Sequence, residues 1–130
     1  MEQEIRDAVD GIVRAFGEGR MDDYFSRFDP DATFVFHTSA ERLRSVDEYR
    51  ALWDRWVRED GLRILACRTT DTLVQQLSAD VAVVTHSVET ESSTNDGVET
   101  LRERETIVLR RQPDGTWLAV HEHLSPTEQA

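Results

Sequence analysis

The sequence contains no lysine, so its fifteen cationic side chains are all arginine. Aspartate and glutamate together number 26, which gives a formal net charge of −11 at pH 7. Nucleic acids and anionic membrane surfaces attract proteins through clustered positive charge. A net charge of −11 argues against binding to either surface, so the sequence predicts no nucleic-acid partner and no membrane partner.

Cysteine and long apolar runs are also scarce. Cys67 is the only cysteine, so the chain forms no internal disulfide, and we interpret it as a small apolar residue in a strand. No apolar run approaches the ~20 residues of a membrane-spanning helix, and the first residues lack the basic and apolar segments of a signal peptide. We therefore expect a cytoplasmic protein. The length predicts a single domain over residues 1–130.

Apolar residues recur at helical spacing in the first part of the chain. One helix is predicted over residues 5–16 and ends at Gly17. A second is predicted over residues 21–28 and is stopped by Pro30. The β-branched and aromatic residues 32–37 then predict a strand.

A third helix is predicted to begin at Ser45. Its hydroxyl can cap the helix, and Glu48 stands three residues later, where a capping box requires it. The apolar face of this helix includes Trp53 and Trp56, and Gly61 closes it.

From residue 62 onward the apolar period changes to two, which predicts strands. We expect a bulge near Asp71, a polar loop over residues 92–97 and a tight hairpin turn at residues 113–115. The predicted strands cover residues 62–76, 81–91, 98–111 and 117–124. Helices followed by strands joined through short turns indicate an α+β fold, with a mostly antiparallel sheet that carries the helices on one face.

Four segments resemble the nuclear-transport-factor-2-like superfamily, and in particular its SnoaL-like branch. They are Gly-Arg-Met-Asp-Asp-Tyr at residues 19–24, Phe-Asp-Pro-Asp-Ala-Thr-Phe at 28–34, Asp-Val-Ala-Val-Val-Thr at 80–85, and Asp-Gly-Thr-Trp-Leu-Ala-Val-His-Glu-His-Leu-Ser at 114–125. The resemblance implies a strongly curved, mostly antiparallel sheet wrapped into a cone, with about three helices on its concave side and a pocket at the open end. It also implies a homodimer that pairs through the outer face of the sheet.

The superfamily contains isomerases, dehydratases, cyclases and non-catalytic association domains, so the fold alone does not give the function. Steroid isomerisation requires a carboxylate base and an oxyanion hole inside an apolar pocket. The base position falls at Phe36 and the tyrosine position at Ile12, and both residues are apolar. The resemblance therefore does not carry isomerase activity to this chain.

Polar residues on the predicted strands supply the candidate site. His121 and His123 alternate along the last strand and so share one face with Trp117 and Ala119. If the faces that carry these side chains are concave, an apolar wall completes a pocket. The candidate pocket then consists of Phe36, Trp53, Trp56, His86, Arg104, Thr106, His121 and His123.

Three interpretations compete for this set. His86 and His123 could act as general acids or bases, with Arg104 holding an oxyanion. The histidines could ligate a metal, but no carboxylate at a recognisable spacing completes such a site, so we predict no metal and no cofactor. The same groups could form a buried structural network.

The acidic residues of the strands are interpreted as solvated strand ends. They are Glu89, Glu91, Glu99, Glu103 and Glu105. In the run Arg102-Glu103-Arg104-Glu105 both arginines share one face and both glutamates the other. One of these faces could be a charged dimer surface, which would remove Arg104 from the pocket.

The leading hypothesis is a small-molecule-binding SnoaL-like domain that acts as a lyase, isomerase or cyclase on an apolar or aromatic compound. The alternative is a non-catalytic dimeric interaction or accessory domain in which the histidines are structural. Replacing His86 or His123 with alanine separates the two, because a structural network loses stability where a binding site loses ligand.

Overall fold

The α+β fold predicted from the sequence is confirmed by the computed structural model, which describes residues 1–127. Three helices precede or flank the first strand, and four long strands follow. The elements are α1 (Glu2–Gly17), α2 (Met21–Ser26), β1 (Phe28–Phe36), α3 (Val46–Asp60), β2 (Arg63–Gln76), β3 (Val81–Thr94), β4 (Gly97–Arg111) and β5 (Trp117–Pro126).

The five strands form one open sheet in the order β1-β5-β4-β3-β2. All neighbours are antiparallel except β1 and β5, which run parallel. Buried and half-buried residues alternate along β3, because one face of the curved sheet packs against the helices. α1 lies against β2 and α3 lies against β1. The helices therefore cover the concave face, as the predicted cone requires.

The first helix shows why the concave face can be covered. Ile5, Val9, Ile12 and Ala15 recur at helical spacing, and all four are buried. They form one apolar stripe that packs on the sheet, while the acidic and arginine side chains between them face water.

The predicted ends of α3 at Ser45 and Gly61 are confirmed, but the Glu48 side chain bonds to the N–H of Arg44 rather than to that of Ser45. The Glu48 backbone N–H donates to the Ser45 hydroxyl at 3.1 Å, and the Glu48 carboxylate accepts a hydrogen bond from the Arg44 N–H at 3.0 Å. Gly61 ends the helix at φ +66°, a left-handed conformation that favours glycine.

Ser45→Ala is expected to lower the free energy of unfolding by about 1 kcal/mol, because it removes the acceptor for a helix N–H. Urea denaturation measures this. Ser39→Ala is the matched control, because the Ser39 hydroxyl bonds only to an exposed backbone carbonyl. Equal losses in the two variants would contradict the capping role.

The boundary between α2 and β1 differs from the prediction. The helix ends at Ser26 and the strand begins at Phe28, so Pro30 lies within β1 rather than after a helix. Proline has no N–H to donate, and an edge strand tolerates it because one of its sides has no partner strand.

Two features of the long strands follow the sequence prediction and one departs from it. The predicted bulge is confirmed: Asp71 has φ 58° and the β2–β3 register shifts between Thr70 and Leu73. The tight turn before β5 is also present, with Gly115 at φ 91°. The loop predicted over residues 92–97 is shorter, because Thr94 pairs with Gly97.

Aromatic side chains fill the centre of the core. Phe34 is fully buried, and its ring centroid lies 5.2 Å from that of Phe28, 5.8 Å from Phe36 and 4.7 Å from Tyr49.

Within residues 1–127, no helix is both long enough and apolar enough to cross a membrane.

Candidate active site

A cavity of about 310 Å³ opens between the helices and the concave face of the sheet. Its walls are mainly aromatic and aliphatic, and its polar groups are hydroxyls and five carboxyls among the described residues. The carboxyls of the cavity differ in exposure: Asp60 and Glu99 are exposed at the mouth, whereas Glu103, Glu105 and Glu122 are 6%, 8% and 2% exposed. We call Glu105 and Glu122 the floor of the cavity.

The structure places three members of the candidate pocket in the cavity wall: Phe36, Trp53 and Trp56. His86 faces the same side of the sheet, but it is buried behind Glu105 and does not line the cavity. Ile12, to which the resemblance assigns the tyrosine position of the steroid isomerases, lines the cavity as an apolar residue.

Four members of the candidate pocket lie on the opposite, convex face of the sheet. Arg104 and Thr106 alternate with buried neighbours along β4, and His121 and His123 flank a buried residue on β5. Thr106 pairs directly with His123, so these side chains do share a face, but it is the wrong face for the cavity. Arg104 and His123 are exposed to solvent.

A bulge explains this correction. In the β4–β5 register Leu109 pairs with Ala119 and Val108 pairs with His121, which leaves Val120 as an extra residue. An extra residue reverses the face of the sheet on which each later side chain of the strand lies. Ala119 therefore faces the core, as predicted, but beyond the bulge Glu122 takes the inner face instead of the histidines.

The solvated strand ends predicted at Glu103 and Glu105 are also a wrong interpretation. Both carboxyls are buried on the inner face of β4, which they share with Ile107 and Leu109. Those two apolar residues have the same parity as the glutamates. They are the sequence signal that could have placed Glu103 and Glu105 inside.

Glu105 accepts a hydrogen bond from His86. The Nε2 and Oε1 atoms are 2.5 Å apart, and the two residues are directly opposite each other on β3 and β4. His86 Nδ1 is buried and has no partner within residues 1–127, so a proton there would be an unsatisfied donor. The geometry therefore favours the tautomer with its proton on Nε2 and Glu105 as the acceptor.

The pKa values of the two floor carboxyls are shifted in opposite directions. Burial raises the pKa of Glu105, but the hydrogen bonds from His86 and Glu122 outweigh it, and the net pKa is lowered. Burial also raises the pKa of Glu122, and the charge of Glu105 adds to the effect, so this pKa lies well above its usual value. The two carboxyls therefore lose their protons in separate steps, Glu105 before Glu122.

Two buried tyrosines extend this network. The hydroxyls of Tyr24 and Tyr49 are 3.0 Å apart, and the Tyr24 hydroxyl lies 3.4 Å from Glu122 Oε1. Burial, followed by the charge of Glu122, raises the pKa of both phenols well above the usual value. Each hydroxyl has one proton, so the donors run from Tyr49 to Tyr24, then to Glu122 and finally to Glu105.

A second carboxyl–histidine pair lies nearer the solvent. His37 Nε2 is 2.5 Å from Glu103 Oε2, and the His37 side chain is 26% exposed. Burial raises the pKa of Glu103, and the hydrogen bond from His37 opposes that rise. His37 directly follows the end of β1.

Metal and thiol chemistry receive no support from the described part of the chain. Residues 1–127 contain no group of three or more His, Cys, Asp or Glu side chains arranged to hold a metal ion. Cys67 lines the cavity, but burial raises the pKa of its thiol to about 11, so it is not a ready nucleophile.

The chain belongs to the SnoaL-like family, within the nuclear-transport-factor-2-like superfamily. The profile of the SnoaL-like domain matches residues 5–129, nearly the whole chain. A search of the curated proteins finds no match.

Solved structures share the fold at low sequence identity. A ketosteroid isomerase-like protein from Erwinia carotovora atroseptica is 19% identical, with a TM-score of 0.80 over 96% of this chain and 95% of that one. A putative calcium/calmodulin-dependent protein kinase II association domain from Xanthomonas campestris is 18% identical, with a TM-score of 0.82 over 100% and 90%. An NTF2-like protein of unknown function in nutrient uptake from Rhodospirillum rubrum is 20% identical, with a TM-score of 0.81 over 95% and 98%.

Proposed function

We propose that the protein binds a small apolar or aromatic molecule in this cavity and exchanges protons with it through the floor carboxyls. Glu105 is the base and Glu122 is the acid. The observation that carries the proposal is a pair of buried carboxyls that line one apolar cavity in different surroundings, Glu105 at 2.5 Å from His86 Nε2 and Glu122 at 3.4 Å from the Tyr24 hydroxyl. Groups whose environments separate their pKa values in this way are suited to acid–base chemistry.

The reaction class is proton transfer at a carbon next to a carbonyl, as in an isomerase or a lyase. The C–H bond breaks, Glu105 takes the proton, and Glu122 gives its proton to the carbonyl oxygen, which yields an enol. Where the carbonyl substrate carries a neighbouring C=C bond, the product is a dienol; Glu105 then returns its proton to the far carbon of the dienol while Glu122 recovers the proton from the oxygen, which shifts the double bond. Loss of a neighbouring leaving group makes the step an elimination.

The exchange of 2-tetralone protons for deuterium tests this chemistry without the natural substrate. In D₂O, proton NMR should show faster loss of the signals next to the carbonyl with the wild-type protein than with Glu105→Gln. The expected difference is about 100-fold or more, the usual range for a general base. Glu91→Gln is the matched control, since Glu91 belongs to β3 but is not among the cavity-lining residues.

Equal exchange rates for wild type and Glu105→Gln would contradict the acid–base role. The binding role has its own control in Val88→Phe, because Val88 lines the cavity and a larger side chain fills it. Quenching of the Trp53 and Trp56 fluorescence by 2-tetralone should be lost in this variant. Quenching that persists would place the ligand elsewhere.

The convex face of the sheet supports a homodimer as the assembly. Val83 and Val108 are paired there and half-buried, next to the pair Thr85 and Thr106. An apolar centre with a polar surround suits an interface between two copies. Sedimentation equilibrium should show a dimer for the wild type and a monomer for Val108→Glu, and a monomeric wild type would refute this assembly.

A further inference from the structure

Glu103 has one carboxyl oxygen that is not used by any group of the described protein. Its Oε2 atom lies 2.5 Å from His37 Nε2. Its Oε1 atom has no hydrogen-bond partner within residues 1–127, and it is not one of the polar atoms there that are both enclosed and unpaired. Because Glu103 is buried and lines the cavity, we take Oε1 to open into the cavity.

The Oε1 atom accepts a hydrogen bond whichever atom holds the proton of the Glu103–His37 pair. A carboxylate that is bonded to an imidazole N–H accepts at both of its oxygens. A carboxylic acid that donates from Oε2 to the imidazole keeps Oε1 as its carbonyl oxygen, which also accepts. The bond to His37 fixes the orientation of the carboxyl, so the cavity contains an oriented acceptor.

The position of Glu103 places this acceptor between the mouth of the cavity and its floor. The inner-face residues Glu99, Leu101, Glu103 and Glu105 follow one another along β4, and all four line the cavity. Successive residues on one face of a strand are about 7 Å apart. A bicyclic ligand whose carbonyl group reaches the floor therefore has its far end within reach of Glu103.

The same region of the cavity disfavours an anionic substituent. Within residues 1–127 the cavity is lined by five carboxyls and by no arginine or histidine. A carboxylate or phosphate group on the ligand would be removed from water and placed near like charges, with no cation to hold it. A hydroxyl group is uncharged and can donate to Oε1.

We propose that the ligand of this cavity is an uncharged hydroxy ketone, with its carbonyl group on Glu122 and its hydroxyl group donating to Glu103 Oε1. This inference rests on the proposed function and adds the substituent that the cavity selects. Glu103 is then a specificity-determining residue. The hydroxyl group takes no part in the proton transfer, so Glu105 remains the base and Glu122 remains the acid.

A comparison of a hydroxyl group with a methyl group of similar size is the sharpest way to detect such a contact. In a cavity without a partner the methyl group binds more tightly, because its removal from water is favourable and that of a hydroxyl group is not. A hydroxyl group is preferred only where an acceptor replaces its bond to water. Sites built to bond a hydroxyl group discriminate strongly against analogues that lack it.

Matched derivatives of 2-tetralone test the assignment by isothermal titration calorimetry. In 6- and 7-hydroxy-2-tetralone the hydroxyl group occupies the ring positions farthest from the carbonyl group, and the 6- and 7-methyl compounds are their counterparts. At pH 7 at least one hydroxyl isomer should bind the wild-type protein about tenfold more tightly than its methyl counterpart, or better. The 6-carboxy compound should bind at least about tenfold more weakly than the 6-methyl compound.

Glu103→Leu should abolish the preference for the hydroxyl group, because leucine has a similar size and no acceptor. Glu91→Leu is the matched control and should retain the preference, since Glu91 bonds to Arg68 and is not among the cavity-lining residues. Circular dichroism checks that both variants fold, and the comparison of the probes on the wild-type protein requires no variant.

Methyl compounds that bind as tightly as both hydroxyl isomers overturn the assignment. A hydroxyl preference that Glu103→Leu retains, or that Glu91→Leu also loses, overturns it as well. So does a carboxylate that binds as tightly as the methyl compound, or the absence of binding by every derivative. The deuterium exchange of 2-tetralone involves no hydroxyl substituent and depends on Glu105, so it decides the proposed function separately.

Discussion

His86→Ala is expected to destabilise the protein by about 3–5 kcal/mol, because it leaves a buried carboxylate without its donor. The His86 side chain is 1% exposed, and its Nε2 contacts Glu105 at 2.5 Å. Removal of the ring also leaves a void on the inner face of β3, which adds to the cost. Urea denaturation followed by circular dichroism measures the free energy of unfolding.

His123→Ala is the matched control for this loss. His123 is exposed on the convex face, and its nearest aromatic neighbour is His121, whose ring centroid is 6.3 Å away. Surface substitutions of this kind change stability by less than about 0.5 kcal/mol. Similar effects of the two substitutions would mean that the histidines do not differ in burial as described.

The second large effect concerns the pH dependence of stability, which Glu122 should dominate near neutral pH. Its pKa in the folded protein lies above the ordinary value of 4.5, so between these two values the native state holds a proton that the unfolded chain has released. The free energy of unfolding therefore falls as pH rises through this window, by at most about 1.4 kcal/mol per pH unit.

Glu105 acts in the opposite direction and in a different range. Its folded pKa is lowered, so the stability that it contributes is present above pH 4.5 and is lost as pH falls through the folded value. The Glu103 pKa is raised, as for Glu122, and adds to the fall at higher pH. The effect of Glu122 is isolated by comparison with a variant rather than from the wild-type curve alone.

Glu122→Gln keeps a neutral hydrogen-bonding group at the floor and removes the titration. Its stability relative to the wild type should improve as pH rises above 4.5, until the folded pKa of Glu122 is reached. Glu91→Gln, on the convex face, should follow the wild-type curve at a constant offset. A constant offset for Glu122→Gln as well would show that Glu122 is ionised in the folded protein.

Much of the fold could be predicted because the signals are local. Ser45 and Glu48 mark a helix start, and Gly61 marks its end. The bulge at Asp71 was also predicted correctly. These features depend on a few neighbouring residues, so the rest of the chain does not change them.

The candidate site could be predicted only in part, because strand parity is not local. The helix residues Trp53 and Trp56 were placed in the cavity wall from the apolar face of α3. The facing of the β5 side chains could not be predicted, because Val120 is an extra residue in the pairing with β4. Beyond it Glu122 lies on the inner face, and His121 and His123 lie on the outer face. The alternation of β5 is regular in the sequence, and the pairing with β4 reveals the bulge.

The central claim is that the floor holds one ionised and one protonated carboxyl, and a ¹³C NMR titration of the glutamate side chains tests it most directly. At pH 7 the account predicts one buried glutamate resonance with the shift of a protonated carboxyl, absent from the spectrum of Glu122→Gln. It also predicts a Glu105 resonance that stays ionised below pH 4.5. If every glutamate titrates near its ordinary pKa, the acid–base pair does not exist and the proposed function loses its basis.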